Sequence, residues 1–160
     1  MRRLSAGTVA LLLAIGAIGA VAAIATSAVT TPATVKTRST SLGTILVDAQ
    51  GRTLYLFEKD KSGKSACSGA CAKAWPPMLT KGTPKAAGRV SASKLGTTKR
   101  SDGTTQVTYN RHPLYRFIMD KNKPGSTTGE GVKAFGAEWY VVGTAGSKIE
   151  KKASGQTNGY

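Results

Sequence analysis

The sequence predicts an all-β fold: one small domain of two pseudo-repeated β-hairpin units, sandwich- or barrel-like, behind a signal peptide and a flexible linker. Three observations predict it. Short apolar, β-rich runs alternate with glycine-containing turns. Helical periodicity is hard to find after residue 41. The chain also repeats itself, since "LYLFEKD" at 54–60 returns as "LYRFIMD" at 114–120. Laid together without gaps, Val47–Trp75 and Val107–Phe135 match at 9 of 29 positions. Chance gives roughly two, so the match marks a duplicated supersecondary unit. In that alignment Trp75 faces Phe135.

Residues 1–28 read as a signal peptide. Arg2 and Arg3 form a short positive region, "VALLLAIGAIGAVAAIA" carries no charge, and "TSA" ending at Ala28 supplies small residues for cleavage. An uncleaved anchor is the alternative, because the apolar run approaches membrane-spanning length. Either way the remainder is expected outside the cytoplasm, secreted or attached to the cell envelope. Residues 29–41 are Thr-rich and poor in large apolar residues, which predicts a tether. Residues 42–146 suffice for one domain with a modest core, and 147–160 read as a polar tail.

Within the domain, "GTILVDAQGRTLYLFE" reads as a hairpin bent at Ala-Gln-Gly-Arg. "TTQVTYNRHPLYRF" repeats the form, with Pro113 suited to a turn or strand start because it cannot donate to a ladder. "CAKAW" allows one helical turn, "EWYVVGT" is a further strand, and "PPMLT" and "VSASKL" are weaker candidates. Alternation places Tyr55 and Phe57 on one face, and Tyr115, Phe117 and Met119 on the corresponding face of the second copy. Arg116 on the opposite face is hard to bury, so the Tyr-Phe face is expected inward and Arg116 in solvent. Trp75, Trp139, Met78 and Met119 are expected to join the core.

Asp60 and Asp120 are expected to open the turns "DKSG" and "DKNKPG", accepting backbone N–H bonds just ahead. Their competing role is a carboxylate pair brought together by pseudo-symmetry. The only cysteines, Cys67 and Cys71, have neither the thioredoxin nor the haem-attachment spacing. Outside the cytoplasm a disulfide is the expectation. The alternative is an envelope redox or copper-handling role, with Cys67, Cys71 and the single histidine, His112, as a Cu(I) ligand set. The expectation is otherwise no cofactor and no catalytic residue. There is no Gly-x-Ser-x-Gly elbow, phosphate loop, His-Glu-x-x-His or Ca²⁺ loop.

Charge is the loudest compositional signal. The chain is +15, and removing Arg2 and Arg3 leaves 21 basic and 8 acidic residues, or +13. For an exported protein this favours anionic cell-wall polymer or a membrane surface as neighbour. Nucleic acid fits poorly, because the lysines are scattered rather than interleaved with stacking aromatics. The expected function is an exported envelope binding or structural module without enzymatic activity.

Together, "LYLFEKD", "LYRFIMD", "CSGACAKAWPP" and "YNRHPLYRF…GEGVKAFGAEWYVV" resemble the bacterial secreted repeat proteins of unknown function, predicted lipoproteins with a Tyr-x-aromatic-x-x-Asp motif. On this chain the motif falls on Tyr55, Phe57 and Asp60, and again on Tyr115, Phe117 and Asp120. The resemblance implies an extracytoplasmic location and no particular reaction. The lipobox cysteine is missing, and Arg111 stands where the resemblance implies a glycine, which predicts a looser bend there.

Overall fold

A computed structural model describes residues 31–150. β1 (Thr34–Thr40) and β2 (Gly43–Asp48) pair antiparallel, and β4 (Lys85–Ala86) joins β1 in parallel. β3 (Tyr55–Phe57) pairs with β9 (Ala137–Val141), which also pairs with β8 (Val132–Ala134). β5 (Leu95–Lys99), β6 (Thr105–Tyr109) and β7 (His112–Pro113) make the third sheet. One short helix, α1 (Ala70–Ala74), and two 3-10 turns, Ala92–Lys94 and Ile118–Asp120, are the helical elements among the described residues. The fold is all-β and sandwich-like, with no closed barrel among those residues.

Both expected hairpins form, and neither runs far. After β2 the chain turns at Asp48 and Gly51, and pairing continues only to Leu54, whose N–H reaches the Leu46 carbonyl. After β6 the turn is Asn110–Arg111, both at positive φ (48° and 67°). That is the two-residue turn whose twist matches its flanking strands, so the bend is tight although Arg111 replaces glycine. Pro113 ends β7 opposite Thr108.

The two copies interlock. In the first, Met78 donates to the Leu114 carbonyl and accepts from Val107, both in the second copy. In the second, Val142 donates to Leu54 and accepts from Leu46, both in the first. Each copy therefore closes its own hairpin with a segment of the other. At the centre Tyr55 N–H bonds the Tyr115 carbonyl at 2.9 Å, and Tyr115 N–H returns the bond at 3.0 Å. A pseudo-twofold axis passes between these two residues. Met78 and Val142 are 64 residues apart, as are Trp75 and Trp139, so beyond the aspartates the register shifts by four. Trp139, not Phe135, is thus the counterpart of Trp75.

Burial follows from this arrangement. Both faces of the repeated phrase are covered, so there are two cores rather than one. Tyr55, Phe57, Tyr115, Trp75 and Trp139 share one with partly buried Phe117. Leu54, Leu56, Leu114, Val107 and Met78 share the other. Full burial of such side chains is worth about 1.5–3 kcal/mol each.

Several expectations need correction. The tether ends early, because Thr34–Thr40 is strand β1 and Val35 is fully buried. The tail begins late: Ile149 N–H bonds the Val141 carbonyl and its side chain packs on the aromatic core. Arg116 is half-buried, its Nε 2.9 Å from the buried Asp48 carboxylate, so ion pairing replaces the expected exposure. Met119 is 58% exposed, because Ile118–Asp120 is a 3-10 turn and strand alternation stops at Phe117. The signal-peptide assignment and the last ten residues lie outside the described residues.

Candidate functional site

The repeated aspartates are held by the opposite copy. Tyr55 Oη donates to Asp120 Oδ2 at 2.7 Å, and Tyr115 Oη donates to Asp60 Oδ2 at 2.7 Å. Leu-Tyr-x-Phe-x-x-Asp is therefore a crossed lock, in which each tyrosine bonds the aspartate that its own copy does not supply. Both phenols are fully buried, which pushes their pKa well up, with the adjoining carboxylate adding to the rise. Burial also raises the Asp60 pKa against the opposing effect of its hydrogen bonds from Ala66 and Tyr115.

The expected turn bonds are present as well, over longer reaches. Asp60 Oδ1 accepts Ala66 N–H at 2.7 Å. Asp120 Oδ1 accepts Thr128 N–H, Thr128 Oγ1 and Ser126 Oγ.

Behind the lock lies an aromatic stack. Phe117, Trp75, Trp139 and Phe57 follow one another with ring centroids 4.0 Å apart at each step. Tyr55 meets Trp75 edge-on at 5.3 Å, and Tyr115 meets Trp139 edge-on at 5.1 Å. The tryptophans are core, with no face offered to a ligand.

Cys67 and Cys71 are joined in a disulfide at the start of α1. The alternative copper set of Cys67, Cys71 and His112 is not assembled. The sulfurs are bonded to each other, and among the described residues no three His, Cys, Asp or Glu side chains gather as a metal site. His112 lies instead at the β6–β7 turn.

That turn borders an open cleft of about 350 Å³, lined by Asp60, Ser62, Gly63, Asn110, Arg111, His112 and Pro113. Ser62 (φ 51°), Asn110 and Arg111 all take the left-handed conformation that non-glycine residues adopt at a cost. Neither the Arg111 nor the His112 side chain has a hydrogen bond or ion pair among the described residues; the His112 backbone pairs with Tyr109. Burial lowers the His112 pKa, with Glu58 pulling it back up.

Sequence reasoning missed two buried charged clusters. Asp48 takes Gln50 and Arg52 N–H groups on Oδ1 and Arg52 Nε on Oδ2. Arg100 reaches the Cys67 carbonyl, Ser65 Oγ and Gln106 Oε1. Asp48 had a signal, the Asp-x-x-Gly turn pattern; Arg100 sits in a polar stretch that offered none.

A family described as a secreted repeat of unknown function matches the chain twice, over residues 36–78 and 96–143, together more than half its length. The chain belongs to this secreted-repeat family. The two matched spans are the two interlocked copies, and each ends at or just past the residue that crosses over, Met78 and Val142. Membership supports an extracellular location. No curated protein and no solved structure is matched.

Proposed function

We propose that this secreted repeat protein is a non-enzymatic module that docks on an anionic polymer of the cell envelope. One observation carries the reading: among the described residues the basic side chains far outnumber those that meet a carboxylate. Asp48 is taken by Arg52 and Arg116, Asp102 by Arg100, and Glu58 and Glu150 by Lys148. Asp60 and Asp120 are taken by the tyrosines. Among the described residues, only those four basic side chains meet a carboxylate. Every other Lys and Arg among the described residues has no ion-pair partner there. A basic surface of this kind attracts polyanions at long range and is screened within about 10 Å at 0.1 M salt.

Co-sedimentation with cell-wall sacculi, intact or stripped of phosphate polymer, tests this. The expected result is retention on intact sacculi that reverses with added NaCl and is lost on stripped ones. Retention that survives high salt, or that is equal on both preparations, would refute it.

A further inference from the structure

The pseudo-twofold relates two places where a hairpin turn approaches the loop after an aspartate, and the two are not alike. In the second copy's loop, Gly125 N–H bonds the Gly51 carbonyl at 2.9 Å, and Asn122 Oδ1 accepts from Arg52 Nη1 at 3.3 Å. A Cβ on Gly51 would lie 3.2 Å from the Pro124 Cβ, so the chain itself fills that place. Gly125 follows Asp120 by five residues, whereas Gly63 follows Asp60 by three. The shorter loop does not reach across. Among the described residues no hydrogen bond joins 61–64 to 110–113, although the backbones come close: a Cβ on Gly63 would lie 3.3 Å from the Arg111 carbonyl. The cleft at Asp60 and Arg111 is what the missing residues leave open.

Its lining is chemically divided. Arg111 and His112 supply donors with no partner, and a guanidinium fork matches the oxygens of a phosphate group. Lys61 and Lys64 flank the loop and add positive potential. Asp60, Ser62 and the Asn110 side-chain carbonyl offer acceptors beside them. The Asn110 amide is already committed to the Gly146 carbonyl, so its oxygen is the part left for a ligand. The Asp60 carboxylate is held by Tyr115 and Ala66, which keeps it from pairing with Arg111. A phosphate alone would use only the cationic side. Arg111 also occupies, at φ 67°, a turn position that glycine fills at lower cost, so its side chain is retained against the preference of the backbone.

We infer that the cleft between the Asp60–Gly63 loop and the Asn110–Pro113 turn binds a phosphate ester of a polyol. Arg111 and His112 hold the phosphate, and Asp60, Ser62 and Asn110 accept the neighbouring hydroxyls. The inference rests on the polyanion-docking reading and gives it one specific contact. The free ester and the repeating unit of a polyol-phosphate polymer share this chemistry.

NMR titration of the whole secreted domain with glycerol 3-phosphate, inorganic phosphate, glycerol and a glycerol-phosphate polymer tests it. Glycerol 3-phosphate should shift the amide signals of 60–63 and 110–113 and bind more tightly than inorganic phosphate, with glycerol alone inert. The polymer producing the same shifts would name the wall polymer as the source; shifts from the monomer alone would name the free ester. Arg111→Gly should weaken binding by about tenfold or more while melting no lower than wild type, which separates the site from the fold. His112→Ala should weaken it in the same sense. Shifts scattered over all lysines, equal affinity for inorganic phosphate, or Arg111→Gly binding at full strength would overturn the cleft. Salt-reversible retention on sacculi would then stand unaffected. The converse result, ester bound in the cleft and no retention on sacculi, would remove the docking role and leave the cleft.

Discussion

At the scale of single residues, the repeated aspartate does two jobs at once. Its Oδ1 organises the loop ahead and its Oδ2 anchors a tyrosine of the other copy, as Asp120 does with Thr128 and Ser126 on one side and Tyr55 on the other. Only the first job was legible, because a turn bond is local while a partner 65 residues away is set by topology. The consequence for mutation is specific. Asp120→Ala removes the close acceptor of a fully buried phenol and leaves it only the Ser126 carbonyl at 3.4 Å, and a poorly satisfied buried donor costs about 1–3 kcal/mol. Asp120→Asn keeps an oxygen for Thr128 and lets the Tyr55 hydroxyl accept from the new amide, so it should cost less. Urea unfolding measures both. Equal midpoints for Ala and wild type would show that the lock adds nothing.

At the scale of elements, the two copies build their second halves differently. After Asp60 the first copy makes α1 with the Cys67–Cys71 bridge, whereas after Asp120 the second makes the β8–β9 hairpin. Both deliver a tryptophan to the same stack, Trp75 from one and Trp139 from the other. The helical turn at "CAKAW" and the strand at "EWYVVGT" were readable from composition, and the hairpin turns from Gly and Asn placement. The four-residue register shift was not, since an ungapped match puts Trp75 opposite Phe135. Phe135 instead sits at φ 57°, exposed at the hairpin tip. Because the second copy positions its tryptophan without a bridge, the disulfide should contribute only local stability. A five-residue loop is worth about 2 kcal/mol by loop entropy. Replacing Cys67 and Cys71 together by Ala should lower stability by no more than that and leave the near-UV circular dichroism of the stack intact. Loss of that signal in a still-folded protein would mean that the bridge, and not packing, orders the rings.

At the scale of the whole molecule, the duplication is an interlocked one, and this is the level the sequence concealed most. The all-β class, the two units and the inward tyrosines all followed from period and composition. Strand exchange leaves no trace in either, because Met78 would look the same whether it returned to its own hairpin or crossed to Leu114 and Val107. The tether assignment failed for a related reason. Thr-rich β1 lacks large apolar residues, yet six of its seven residues pair with β2, from Val35↔Asp48 to Thr40↔Gly43. Interlocking has a direct consequence for stability. A copy taken alone would lose the partner strand of its hairpin, the partner of its Tyr–Asp lock and half of its aromatic stack. Each half would expose both faces of its repeated phrase, and a chain of such a size has little surface burial to spare. Residues 31–90 and 91–150, produced as separate fragments, should therefore each be unfolded by far-UV circular dichroism. Mixed at equal concentration, they should recover the β spectrum together with a cooperative melt whose midpoint rises with concentration, as a bimolecular complex requires. A cooperatively folded monomer from either fragment alone would show that the copies are independent domains and that the exchanged segments are not needed to complete them.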